Sequence, residues 1–321
     1  MVNKRRKIIM DCDPGIDDAV ALCVAAAHPE AFELIGITTV AGNQTIEKTT
    51  ANALTLSAYY GLEDVPVAMG AVTPILRPAL TAADIHGANG MGDVAIPATD
   101  KKPASNNAVL FLKQLIDSLP EDEKVTLVPT GPFTNIALLF CVFPEVKERI
   151  EEIVLMGGAA FGGNITSTGE FNVYEDPEAA AIVFNSGLPI VMCGLDATEK
   201  CGLDAEAVQY LMDNGGELAR TVAQMVQFYF KTPSYENQKM ACIHDSVTYM
   251  YMLHPEIFKA VKMPVSVDCS EGTNRGMTIC DPRTWAYESE PTTTVLMDAD
   301  GVKFREYLVE SILKLDRERS R

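Results

Sequence analysis

The sequence predicts an α/β fold, a mostly parallel central sheet with helices on both faces. Two observations predict it. Five short apolar runs, each ending in small or polar residues, read as buried strands. They alternate with stretches whose apolar residues recur at helical spacing, and such alternation builds parallel strands joined by crossover helices.

Taken in order, KIIM (7–10) is the first strand, and IDDAVALCVAAAH (16–28) is a helix with acids in its first turn and a His-Pro stop. ELIGITTV (33–40) leads into TIEKTTANALTLSAYYG (45–61), which Gly61 closes. NNAVLFLKQLIDSLP (106–120), KVTLVPT (124–130), TNIALLFCVFP (134–144), EIVLMGG (152–158), DPEAAAIVFNSG (176–187) and LPIVMCG (188–194) continue the alternation. From about residue 203 the pattern turns helical: LDAEAVQYLMDN, GELARTVAQMVQFYF and DSVTYMYMLHPEIF. Strand-like VKMPVSVD and TTTVLMD follow, before a last helix, FREYLVESILKLD. No long Ser/Gly/Pro linker divides the chain, so residues 1–321 are expected to form one domain, its helical C-terminal part packed on the same core. Residues 77–105, with HGANGMGD at their centre, lack clear periodicity and read as a candidate lid.

Composition excludes some partners. A 47% apolar content suits a soluble core, and no run approaches the roughly 18 apolar residues of a membrane span. The basic KRRK (4–7) reads as a solvated tail rather than part of a signal sequence. A formal net charge of −18 opposes nucleic-acid binding, which depends on basic residues neutralising phosphates. Eight cysteines without a C-x-x-C read as reduced thiols in a cytoplasm.

The densest chemistry lies in DCDPGIDDAVAL (11–22). Asp11 and Asp13 leave the first strand, Pro14-Gly15 turns, and Asp17 and Asp18 open the helix. Acids in a first helical turn favour the macrodipole by about 0.3–1 kcal/mol each, which accounts for one of them. Four in eight residues must shift their pKa values or gather around a cation, and oxygen-only ligands select a hard one, Ca²⁺ or Mg²⁺. A Mg²⁺-dependent D-x-D phosphatase is one class with acids in this place. Other strand ends, VAGN, PTGPFTN and GGNITSTGEFN, are rich in hydroxyls and amides and poor in Lys and Arg, which suits an uncharged polyol better than a phosphate.

DCDPGIDDAVAL, VAGN (40–43), HGANGMG (86–92), VPTGPFTNIA (128–137), MGGAAFGGNITSTGEFNVYEDPEAA (156–180) and IHDS (243–246), in this order, resemble the inosine-uridine preferring nucleoside hydrolases over most of the chain. The resemblance implies a Rossmann-like nucleoside hydrolase fold, a tightly held Ca²⁺, and cleavage of ribonucleosides, purine, pyrimidine or both, to free base and ribose. It implies Asp13, Asp18 and Asp245 as calcium ligands with the Thr130 carbonyl, and Asp13 as the base that deprotonates the attacking water. Asp17, Asn43, Asn164, Glu170 and Asn172 would hold the ribose hydroxyls, with Asp11 supporting the loop. It also suggests a homodimer or homotetramer.

The leaving base needs a proton, and histidine is the natural donor at neutral pH. His244, beside Asp245, occupies the family's leaving-group acid position. His86, in the candidate lid, could reach the nucleoside, whereas His28 and His254 each precede Pro-Glu at a helix stop and read as structural. Tyr229, with Phe228 and Tyr235, could stack on the base, and Met156 could pack near the ribose. Trp285 and Arg275 match a family-like segment with no derivable role. Where the family commonly has His-Asp-Pro, this chain has His244-Asp245-Ser246, and the serine is expected to cap the next helix. A non-catalytic nucleoside or ribose sensor remains the alternative from outside enzymology, and it would be expected to lack Asp13 or His244.

Overall fold

A computed structural model describes residues 5–233, 236, 238–287 and 289–320. Its main sheet has eight strands in the order β3-β2-β1-β4-β5-β6-β12-β9. These are β1 (Arg6–Cys12), β2 (Phe32–Thr39), β3 (Val67–Met69), β4 (Val125–Pro129), β5 (Ile150–Met156), β6 (Ile190–Cys193), β9 (Phe258–Lys262) and β12 (Thr293–Ala299). Every pairing is parallel except β9 against β12. Two small antiparallel pairs stand apart: β7 (Gly202–Asp204) with β8 (Met240–Cys242), and β10 (Val265–Val267) with β11 (Thr278–Cys280).

Helices cover both faces. One apolar cluster packs α1 (Ile16–Ala27), α10 (Glu217–Tyr229), α11 (Ser246–Leu253) and α12 (Gly301–Arg319) on the sheet; the other packs α4 (Ala108–Asp117), α5 (Thr134–Val142) and α7 (Pro177–Phe184) on the opposite face. The remaining helices are α2 (Ile46–Tyr59), α3 (Ala83–His86), α6 (Phe171–Glu175), α8 (Leu195–Thr198) and α9 (Ala205–Asn214). Among the described residues no helix is long and apolar enough to cross a membrane. Strand order runs outward in both directions from β1 and β4, so the crevice between their carboxyl ends is the topological switch point where such sheets bind ligands.

The α/β expectation holds, with local corrections. The basic stretch is not a free tail from Arg5 onward: Arg6 lies in β1 and pairs with Glu152, and Lys7 pairs with Glu33 at 3.0 Å and Glu123 at 3.3 Å. VKMPVSVD is two strands, β9 and β10, separated at Met263-Pro264, because proline cannot donate to a ladder. The three-residue strands β3, β7, β8 and β11 carry too little periodicity to be read from sequence. His28 and His254 do cap α1 and α11; His28 bonds Glu30 and Ser311, and His254 stacks on Tyr307 at 3.9 Å.

Candidate active site

The crevice opens into a cavity of about 560 Å³ whose walls come from the connections after β1, β2, β3, β4, β5 and β6, from the end of α10 and from the segment around β8 that leads to α11. Asp17, Asn43, His86, Thr130, Met156, Asn164, Glu170, Asn172, Tyr229, His244 and Asp245 all line it. Asp13 and Asp18 lie beneath, 0% and 1% exposed. Residues distant in sequence thus converge on one cavity.

At the floor, Asp17, Asp18 and Asp245 each offer a carboxylate oxygen within 4.8 Å of the others. Asp13 adjoins this trio. Its Oδ2 accepts the Asn43 N–H at 2.6 Å, while its Oδ1, buried, has no partner among the described residues. Asp18 accepts from Gly15 N–H, the Asn43 amide and the Thr130 hydroxyl at 2.8 Å. Burial pushes all four carboxyls upward, Asp18 to about 6 and Asp13 and Asp245 well above the usual range, and repulsion from neighbouring carboxylates adds to it for Asp13, Asp18 and Asp245. Four crowded carboxylates, one with an orphaned oxygen, are an incomplete arrangement without positive charge. An all-oxygen set fits a hard divalent cation.

Asp11 stands behind this floor. Its Oδ1 accepts from the Thr38 hydroxyl at 2.6 Å and the Asn135 amide at 2.8 Å, tying β1 to β2 and α5, and burial raises it to about 7. On the β5 side, Glu170 accepts the N–H groups of Gly158, Asn172 and Val173, the last two at the start of α6, and burial raises it to about 7. Asn172 donates to the Thr130 and Met156 carbonyls and to Met156 Sδ. The Asn164 side chain accepts Phe171 N–H at 2.9 Å. These bonds hold the polar wall rigid.

Opposite, the Tyr229 hydroxyl donates to Asp17 Oδ1 at 3.2 Å and lies 3.4 Å from His86 Nδ1. His86 Nδ1 accepts Ile16 N–H at 3.1 Å, which puts the proton of the neutral ring on Nε2, and burial lowers the imidazole to about 4. The candidate lid is tied to the α2 region at its glycine loop: Gln44, Lys48 and Asn52 donate to the carbonyls of Gly87, Ala88 and Asn89. His244 Nδ1 lies 2.8 Å from Thr198 Oγ1.

The chain matches the model of the inosine-uridine preferring nucleoside hydrolases over residues 8–306. It belongs to that family. Pyrimidine-specific ribonucleoside hydrolases RihA from Shewanella sp. (strain MR-7) and Salmonella typhi are each 42% identical to this nucleoside hydrolase, over 96% of both chains in the first case and over 95% of this chain and 97% of the relative in the second. Among solved structures, a purine-preferring ribonucleoside hydrolase from Gardnerella vaginalis superposes with a TM-score of 0.89 at 34% identity, covering 98% of this chain and 100% of that one.

Some sequence expectations are redirected. Ser246 does not cap α11: the cap position is Asp245, already helical at φ −67° and ψ −33°, and the buried Ser246 hydroxyl has no partner among the described residues. Phe228 does not line the cavity; its Cβ packs beside Gly92. Tyr235 lies outside the described residues. Trp285 is 82% exposed, and Arg275 clamps α7 through two 2.8 Å bonds to Glu178, both away from the cavity. Sequence reasoning missed Thr81, Asp84, Ile85, Glu199, Gln238 and Cys242 at the cavity wall. Of these, Thr81, Asp84 and Ile85 fall within the candidate lid of residues 77–105, and Glu199 had a signal in following the end of the LPIVMCG strand by a few residues.

Proposed function

We propose that this nucleoside hydrolase cleaves the N-glycosidic bond of ribonucleosides, pyrimidine ribonucleosides foremost, with Ca²⁺ held by Asp13, Asp18, Asp245 and the Thr130 carbonyl. The observation that carries this reading is the orphaned Oδ1 of Asp13 beside three converging carboxylates. The pyrimidine preference rests on relatives 42% identical along nearly the whole chain.

The cation, when bound, lowers the pKa of a water and fixes its approach. Asp13, anchored through Oδ2 to the Asn43 N–H, keeps Oδ1 free to take the proton from the attacking water. Asp17, Asn43, Asn164, Glu170 and Asn172 bind the ribose hydroxyls, so that binding energy remote from the scissile bond holds the sugar carbon in line. As the bond lengthens, positive charge grows on the ribosyl ring, and the carboxylates of this wall stabilise it. His244 donates to the departing base, His86 reaches the nucleoside through its Nε2–H, and Met156 and Tyr229 shape the walls around sugar and base.

Among the described residues no lysine or arginine lines the cavity, which disfavours a phosphate substrate and hence the D-x-D phosphatase. The chain carries both Asp13, beside the carboxylate cluster, and His244, on the cavity wall, which favours an enzyme over a binding-only sensor. Eight free cysteines, four of them buried, agree with a reducing cytoplasm, and assembly into two or four copies completes the reading. Incubation with uridine, cytidine, inosine and a nucleoside monophosphate, with and without chelator, tests it: chelator-sensitive release of free base from the nucleosides is expected. Release of phosphate, or tight binding without turnover, would refute it.

A further inference from the structure

We propose that Thr198 is a positioning residue that locks the His244 imidazole with its proton on Nε2, the nitrogen away from Thr198. This inference rests on the reading of His244 as donor to the leaving base and adds the group that makes it one.

The Thr198 side chain is 0% exposed at the end of α8, and its hydroxyl lies 2.8 Å from His244 Nδ1. No other hydrogen bond of that hydroxyl is found among the described residues. A buried hydroxyl must place its proton on an acceptor, because an unsatisfied buried donor costs about 1–3 kcal/mol. The acceptor within reach is Nδ1 of the neutral ring. Accepting that proton, Nδ1 carries none of its own, so Nε2 bears the ring hydrogen. When the ring is charged both nitrogens are protonated and Thr198 accepts from Nδ1–H; transfer of the Nε2 proton to the base then leaves a neutral ring with its hydrogen on Nδ1, still held by the Thr198 oxygen, whereas the neutral Nε2–H ring aids the base as a hydrogen-bond donor.

The backbone around the pair is built to hold it. Leaving α8, the chain turns through Cys201 N–H to the Thr198 carbonyl, then enters β7, which pairs with β8 from Gly202↔Cys242 to Asp204↔Met240. One further bond, Ile243 N–H to the Cys201 carbonyl at 2.9 Å, extends this zipper to the residue before His244. At the other end α8 is pinned to the loop after β5 by Leu195 N–H donating to the Gly158 carbonyl at 2.9 Å. The small β7–β8 sheet therefore fixes a histidine from one connection against a hydroxyl from another.

The substitutions are Thr198→Val, which keeps the shape and removes the hydroxyl, and Thr198→Ser, which restores it. In the intact metal-loaded protein, ¹⁵N spectra of the four histidines should show His244 as the Nε2–H tautomer, and Thr198→Val should shift it toward a tautomer mixture. With uridine, kcat should fall about tenfold or more, less than the roughly 10²–10⁴-fold that a proton-transfer group itself supplies because the imidazole remains, while KM stays within about threefold. An activated nitrophenyl riboside, whose leaving group needs no proton, should lose less than about threefold, and Thr198→Ser should recover the uridine rate. An Nδ1–H tautomer in the unaltered protein, or equal losses on both substrates, would overturn the proposal. A protein inert towards every nucleoside but showing Nε2–H at His244 would sink the hydrolase reading and leave the lock supported.

Discussion

The main-chain N–H of Asn43 sits 2.6 Å from Oδ2 of Asp13 and so makes the two oxygens of one carboxylate unequal. One oxygen is anchored to the β2 loop, and the other is left over for chemistry. Asp13→Asn preserves the anchor, since an amide oxygen can accept the same N–H, but replaces the open oxygen with a donor. Turnover of uridine should fall by about 10²–10⁴-fold, the usual range for a general base. Thermal unfolding of chelator-treated protein should show no loss of stability, because a crowded buried charge has been removed. Steady-state kinetics beside a melting curve check both.

Stripping the divalent cation should change how stability depends on pH. Asp11 and Glu170 are held at about 7 and Asp18 at about 6, all by burial. Below about pH 4 these groups are protonated in both folded and unfolded chains and contribute nothing. As pH rises, the unfolded chain releases their protons first while the folded chain retains them, so stability falls until about pH 7. Melting temperatures of chelator-treated protein should therefore decline from pH 5 to pH 8. Adding Ca²⁺ should flatten that decline and raise the curve most at pH 8; parallel curves with and without Ca²⁺ would count against a cation at these carboxylates.

Glu170 has a structural duty that can be separated from sugar binding. Its carboxylate accepts three N–H groups, on both oxygens. Glu170→Gln turns one acceptor into a donor facing an N–H, which should cost about 1–3 kcal/mol. Urea unfolding reads that loss, and KM for uridine should rise in the same variant.

Arg275 makes a test outside the cavity. Its side chain is 4% exposed and bonds both oxygens of Glu178 and the Cys269 carbonyl. Arg275→Met leaves Glu178, 19% exposed, without its partner, and the expected loss is about 3 kcal/mol, the low end for a broken buried pair because water still reaches the carboxylate. Denaturation should show this, while kcat/KM of the folded fraction stays near that of the unaltered enzyme.

The sheet and most helices were legible because long apolar runs at period 3.6 and continuous buried strands carry strong local signals. The acids of residues 11–18 were legible for a different reason, since four carboxylates in eight positions conflict with one another unless a site resolves them. What the sequence obscured was set by contacts between distant segments. Thr198 looks like any helical threonine until β7 and β8 bring it against His244. Ser246 resembles a cap, yet α11 enters one residue earlier. The three-residue strands exist because a strand distant in sequence offers hydrogen bonds, which no local pattern records.

Asp13 is enclosed by Gly42 and Gly131, where any added Cβ would collide with its carboxylate, and a Cβ at Gly15 would strike His86 and Asn43. The sugar end of the cavity is consequently closed to variation: almost every substitution there removes the reaction before it can alter selectivity. The mouth carries no such restriction at Thr81, Asp84, Glu199 and Gln238. Mutational libraries aimed at a new base preference should be confined to that rim, where sequence can drift while the chemistry below it is inherited unchanged.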